Sequence, residues 1–155
     1  LAEFYGQYMV LMDKKGRIAL PSKLRPDTAT EPEAADGFML AKGLDGCLTL
    51  YPRKQWEVIK GRLDTLDFTR KDFRYFGRRL YSGAIPINLD RQGRMLIPAN
   101  LQKEAGLSRE ILLIGANRWI ELWDPDKYQE YLDGYGKSYE EVAEKLFDVN
   151  RPQKE

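Results

Sequence analysis

Leu11-Met-Asp-Lys-Lys-Gly-Arg-Ile-Ala-Leu-Pro-Ser-Lys-Leu-Arg25 returns later in the same chain as Asn88-Leu-Asp-Arg-Gln-Gly-Arg-Met-Leu-Ile-Pro-Ala-Asn-Leu-Gln102. Laid on each other, Asp13 falls on Asp90, Gly16 on Gly93, Arg17 on Arg94, Pro21 on Pro98 and Leu24 on Leu101, with no gap. A repeat of this length has to be settled before any other reading of the fold.

The chemistry of one copy is legible. Asp-x-x-Gly-Arg lies between two apolar runs, and glycine enters positive φ without steric cost. This predicts a hairpin of three to five turn residues, with a bulge. The strand leaving the turn, Arg17–Leu20 or Arg94–Ile97, must stop at Pro21 or Pro98, which has no N–H for a ladder. Proline is well tolerated at a first helical position, so a short helix should follow. Each copy then reads strand, polar tip, strand, short helix. The tips carry the cations: Lys14, Lys15 and Arg17 in one, Arg91 and Arg94 in the other.

The duplication extends outward from this core. Phe38–Lys42 and Cys47–Tyr51 flank Gly43-Leu-Asp-Gly46, a second hairpin by turn chemistry, and Pro52 opens a helix reaching about Leu63. In the second half Ile111–Ile114 and Trp119–Trp123 flank Gly115-Ala-Asn-Arg118, and Asp124-Pro125 caps and opens a helix. Residues 25–37 read as loop. Thr69–Tyr81 reads as an amphipathic helix, with Phe73, Phe76 and Leu80 on one stripe and Arg70, Lys71, Arg74, Arg78 and Arg79 facing away. Its basic face is the ordinary solvated side of a linker helix. Ser138-Tyr-Glu-Glu matches a capping box, and Val142, Leu146 and Val149 follow on one stripe. We take 69–80 as the counterpart of this last helix. The division is then a first repeat with linker helix at 4–80 and a second with C-terminal helix at 81–149. Two hairpins of short strands cannot close a core alone. Two such units exchanging hairpins can, which implies an α+β fold, mainly β in its core, flanked by short helices and carrying an internal pseudo-two-fold axis.

Composition narrows the function. The 155 residues suit one core, and a formal net charge of +1 says nothing about nucleic acid by itself. The distribution says more: residues 1–25 are basic, whereas the segment beyond 120 is acidic. Histidine is absent, which removes Ser-His-Asp and Cys-His catalysis and the commonest metal ligand. There is no glycine-rich phosphate loop, so no cofactor and no metal are expected. Cys47 is the only cysteine and reads as a small buried hydrophobe in a reducing compartment. With no signal peptide or membrane span, the cytosol is the expected location.

Asp13-Lys-Lys-Gly-Arg17 with Ile-Ala-Leu-Pro21, and Asp90-Arg-Gln-Gly-Arg94 with Met-Leu-Ile-Pro98, resemble the two Asp-x-x-x-Arg motifs of the MraZ family. So do Gly43-Leu-Asp-Gly-Cys-Leu-Thr-Leu-Tyr-Pro52 and the ending Ser138–Phe147, and the likeness runs from about Phe4 to Val149. The resemblance implies a tandem swapped-hairpin β-barrel related to the DNA-binding domain of AbrB. It also implies a bacterial, nucleoid-associated transcriptional regulator. Such a regulator binds short repeats in the promoter of its own division and cell-wall gene cluster and assembles into a ring. The motif match carries the DNA-contact role onto Asp13, Arg17, Asp90 and Arg94; Lys14, Lys15 and Arg91 join them as tip cations.

The planar forks of Arg17 and Arg94 suit a phosphate or the O6/N7 edge of guanine. Asp13 and Asp90 would be repelled by phosphate and are expected to organise the turn or hold the arginine. Gln92 stands where the first tip has Lys15, so the tips need not contribute equally. A competing reading is a scaffold protein whose acidic C-terminal helix binds a protein partner. An enzyme built on Glu121 or Asp45 ranks last, and we expect no enzymatic activity.

Overall fold

A computed structural model describes residues 2–27, 30 and 36–148. Most of the expected 25–37 loop, and Val149 of the C-terminal stripe, lie outside the described residues. The first half contains β1 (Gln7–Leu11), β2 (Arg17–Ala19), a 3-10 turn (Ser22–Leu24), β3 (Phe38–Lys42), β4 (Leu48–Pro52), α1 (Arg53–Asp64) and α2 (Lys71–Gly83). The second half runs β5 (Ile85–Ile87), β6 (Arg94–Leu96), α3 (Ala99–Glu104), β7 (Glu110–Gly115), β8 (Ile120–Trp123), α4 (Pro125–Asp133) and α5 (Tyr139–Phe147). The order of elements therefore recurs, and α2 stands where α5 does. Both prolines act as expected: Pro21 and Pro98 end a three-residue strand and precede a short helical turn. The capping box at Ser138 is formed in both directions.

All strands pair antiparallel, in a six-stranded sheet ordered β1-β7-β8-β4-β3-β5 and a separate two-stranded sheet of β2 with β6. The first strand of each half pairs with the third strand of the other: β1 with β7, and β5 with β3. The six-stranded order reads identically from either edge once each strand is exchanged for its counterpart. The registers agree. Ile18 lies opposite Met95, its own counterpart in the repeat, and Thr49 lies opposite Glu121.

Two expectations need correction. The ladders form two open sheets and no closed barrel. The Asp-x-x-Gly-Arg turn is present, but its flanking strands do not form a hairpin ladder. Between Asp13 and Arg17 the chain reverses, with the Asp13 N–H donating to the Arg17 carbonyl at 2.9 Å. Beyond that point β1 is committed to β7 over five residues, whereas β2 leaves to pair with β6. The physical reason is length. Three residues before a proline offer few ladder bonds wherever they lie, and pairing β2 with β6 sends Ile18 and Met95 together into the core, 1% and 2% exposed.

That core holds the inward residues of both sheets, among them Leu20, Leu24, Leu40, Leu50, Ile97, Ile111 and Leu122. A smaller cluster of Ala41, Trp56, Leu63 and Leu80 fastens α1 and α2 to the large sheet. Cys47 is buried and its thiol is pushed up to about 12 by desolvation, so it is inert at neutral pH. Gly115 is where β7 meets the N-terminal segment. A Cβ there would lie 2.4 Å from the Tyr5 backbone nitrogen, so no side chain fits. No helix among the described residues is long and apolar enough to cross a membrane.

Candidate nucleic-acid interface

Each tip is built around its aspartate. Asp13 Oδ1 accepts the backbone N–H of Lys15 and of Arg17, both at 2.9 Å, and Oδ2 accepts Arg17 Nε at 2.8 Å. Asp90 repeats the pattern with Gln92 N, Arg94 N and Arg94 Nε, each at 2.9 Å. One carboxylate thus closes the turn and grips the arginine at its inner nitrogen. Among the described residues no protein acceptor holds the terminal nitrogens of either guanidinium. Gly16 and Gly93 supply the positive φ the turns require, +84° and +73°.

The two turns lie at opposite ends of the β2–β6 ribbon, on the order of 10 Å apart for three residues of strand. Each glycine carbonyl is bonded across to the other half: Gly93 O accepts Leu20 N–H, and Gly16 O accepts Ile97 N–H, both at 2.9 Å. The ribbon buries Ile18 and Met95 and exposes Ala19 and Leu96, with Arg17 and Arg94 half-buried on that same outer face. Lys14, Lys15 and Arg91 are exposed at the turns. All seven candidate residues therefore belong to one ribbon and its two ends.

Two residues the motif does not include complete the arrangement. Arg25 Nε donates to Leu20 O, and Gln102 Nε2 donates to Ile97 O, each at 2.7 Å. Each side chain then lies under the turn of the opposite half. A Cβ at Gly93 would stand 2.2 Å from Arg25 Cζ, and one at Gly16 would stand 2.6 Å from Gln102 Nε2. Arg25 thus brings a third cation to the tip that has Gln92, and the two tips carry equal positive charge. The signal was present in the repeat, where Arg25 and Gln102 are the last aligned pair and both are long donors. What the sequence alone does not reveal is that each crosses to the other turn.

The backbone N–H of Arg17 is the chief cause holding the Asp13 carboxyl below the usual aspartate range; the guanidinium and the Lys15 N–H add to it. Asp90 is lowered in the same way by Arg94 and Gln92. A carboxyl whose folded pKa is depressed stabilises the fold above its unfolded value of about 3.9. That contribution is lost as pH falls through the lower folded value. We therefore expect the Asp13 and Asp90 carboxyl carbons to titrate in NMR with midpoints below 3.9, the amides of Arg17 and Arg94 shifting with them. A midpoint at or above that value would mean that the turns are open in solution.

Nothing else among the described residues competes as a site. No group of three or more acidic or cysteine side chains there could hold a metal ion. Glu121 accepts the indole N–H of Trp119 and Trp123 at 3.2 and 3.0 Å, which makes it a packing element of the sheet face.

Fold and turns define the class first: a tandem-repeat α+β protein whose paired Asp-x-x-Gly-Arg turns bracket one exposed basic ribbon. Comparison with known proteins narrows it. The family model described as "MraZ protein, putative antitoxin-like" matches twice, over residues 4–79 and 80–150. The chain is 41% identical over 146 residues to the transcriptional regulator MraZ of Syntrophomonas wolfei, covering 94% of this chain and 98% of that protein. It is 42% identical over 146 residues to the protein of that name from Clostridium tetani, with 94% and 98% covered. The chain belongs to the MraZ family.

Proposed function

We propose that this protein is a sequence-specific double-stranded DNA-binding transcriptional regulator, acting in the cytoplasm on the nucleoid. Its operator is a set of repeats in the promoter of its own division and cell-wall gene cluster, engaged by a homo-oligomeric ring. The observation that carries the reading is the doubled turn. Two aspartate-clamped arginines with open terminal nitrogens flank a ribbon narrow enough for the major groove. The repeats at 4–80 and 81–149 act as one body, with a swapped-hairpin likeness to AbrB-type DNA-binding domains.

Within it Arg17 and Arg94 read guanine edges, and Asp13 and Asp90 set their pose. Lys14, Lys15, Arg91 and Arg25 bind phosphate, adding salt-sensitive affinity with little sequence information. A ribbon this short makes few contacts, so useful affinity comes from several subunits engaging repeated sites together. No catalytic step is assigned to it.

The test is binding of a labelled duplex from just upstream of the gene, with excess random duplex, across a salt series. The expected result is binding that survives the competitor and is lost when the repeats are scrambled. Its logarithmic salt slope should be steeply negative, by about 0.9 per phosphate contact. Binding that disappears equally on every duplex would leave only an electrostatic patch. A scaffold role through α5, whose apolar side chains Leu146 and Phe147 are 70% and 81% exposed, would then take precedence.

A further inference from the structure

The outer face of the ribbon is symmetric in its arginines and asymmetric in everything else. Arg17 stands opposite Leu96, and Arg94 stands opposite Ala19. Directly opposed side chains on an antiparallel pair have Cβ atoms roughly 5 Å apart. The face is therefore a small square, arginines on one diagonal and apolar residues on the other. Leu96 is 53% exposed, although Met95 and Ile97 on either side of it are 2% and 1% exposed. Its side chain leans toward the first turn, where Cδ1 is 3.5 Å from the Cβ position of Gly16. A large aliphatic group is thus held beside a guanidinium on the face offered to DNA. Core packing does not require it there, since Ala19 serves at the equivalent position.

Base edges in the major groove present donors, acceptors and one apolar group in unmodified DNA, the thymine 5-methyl. We infer that Leu96 is a specificity-determining residue that packs on a thymine methyl beside the guanine read by Arg17. The inference rests on the DNA-binding reading above. Ala19 is too short to make the same contact, so the two ends of the ribbon read different sequences despite matching arginines. The intrinsic half-site is then asymmetric.

The experiment uses the full chain and the upstream duplex, with each thymine replaced singly by deoxyuridine, which lacks only the methyl. For the wild type, deoxyuridine at one position of each repeat should weaken binding about fourfold, the worth of one buried methyl. Leu96→Ala should bind the unmodified duplex with a similar loss and be indifferent to that deoxyuridine, while Leu96→Met keeps the sensitivity. Wild-type binding that stays sequence-specific but is unaffected by every deoxyuridine would overturn the role of Leu96 and leave the regulator reading intact. Absence of competitor-resistant binding to any duplex would overturn both. A changed assembly mass for Leu96→Ala in sedimentation would also overturn the inference, by assigning the exposed leucine to a subunit contact.

Discussion

Arg17→Ala combined with Arg94→Ala is expected to lower affinity for the specific duplex by about a hundredfold or more, since each good bidentate contact to guanine is worth roughly 1–3 kcal/mol. The fold should scarcely notice. The ion pairs with Asp13 and Asp90 lie at the surface, partly exposed to solvent, where such pairs are worth about 1 kcal/mol or less each. Asp13 also keeps its bonds to two backbone N–H groups when the guanidinium is gone, so the turn persists. Competitive binding and a thermal melt on the same samples check both halves of the expectation. The decisive comparison is with random duplex, on which the double variant should lose far less. An equal loss on every sequence would make both arginines phosphate contacts and move the source of specificity elsewhere. A melting temperature lowered by many degrees would instead show that the arginines hold the ribbon together.

Why the aspartates were legible as turn organisers and the strand partners were not is a matter of range. Asp13, Gly16 and Arg17 act within one turn. The glycine requirement and the four-residue Asp–Arg spacing therefore carry the whole geometry, and both are visible in the string. The route of β2 is decided by Met95, far away in sequence, even though β1 is an edge strand that pairs on one side only, with β7. Local turn chemistry favours a hairpin there; tertiary pairing overrides it. The second hairpin of each half is legible in the sequence because β3–β4 and β7–β8 pair with their chain neighbours. Arg25 marks the same limit. Its charge was plain, but its place beneath Gly93 follows only from the exchange between halves. The helices were legible from periodicity, yet not their unequal fates. Leu80 on α2 is buried against the large sheet, whereas α5 buries no residue at all.

That inequality leads to the second large effect. If subunits form the proposed ring, Leu146→Asp with Phe147→Asp is expected to convert it into much smaller species, and to abolish tight binding to repeated sites while leaving the fold intact. α4 and α5 line an apolar groove of about 540 Å³ that includes Tyr131, Leu132, Tyr135 and Val142. At the equivalent place in the first half Leu63, Leu66, Phe73 and Phe76 line a cleft of about 450 Å³. The helices differ in net charge: α4 and α5 carry Asp126, Glu130, Asp133, Glu140, Glu141 and Glu144 against Lys127 and Lys145, while α2 carries Lys71, Arg74, Arg78 and Arg79 against Asp72. The linings themselves are less one-sided, with Lys137 in the first groove and Asp67, Arg70 and Asp72 in the second. Helices of opposite net charge attract, so the apolar groove of one half is better matched to the other kind on a second copy than to its own. Such a head-to-tail joint is heterologous, and it generates a ring where the rotation between successive copies closes. Burying a leucine or phenylalanine is worth roughly 1.5–3 kcal/mol, so replacing two with carboxylates raises the dissociation constant of each joint by two or more orders of magnitude. Sedimentation velocity at micromolar concentration reads the mass directly, and Phe76→Asp on the opposite face should reproduce the loss. If the α5 variant keeps the wild-type mass, subunits do not meet there, and its exposed apolar face is left for a different protein.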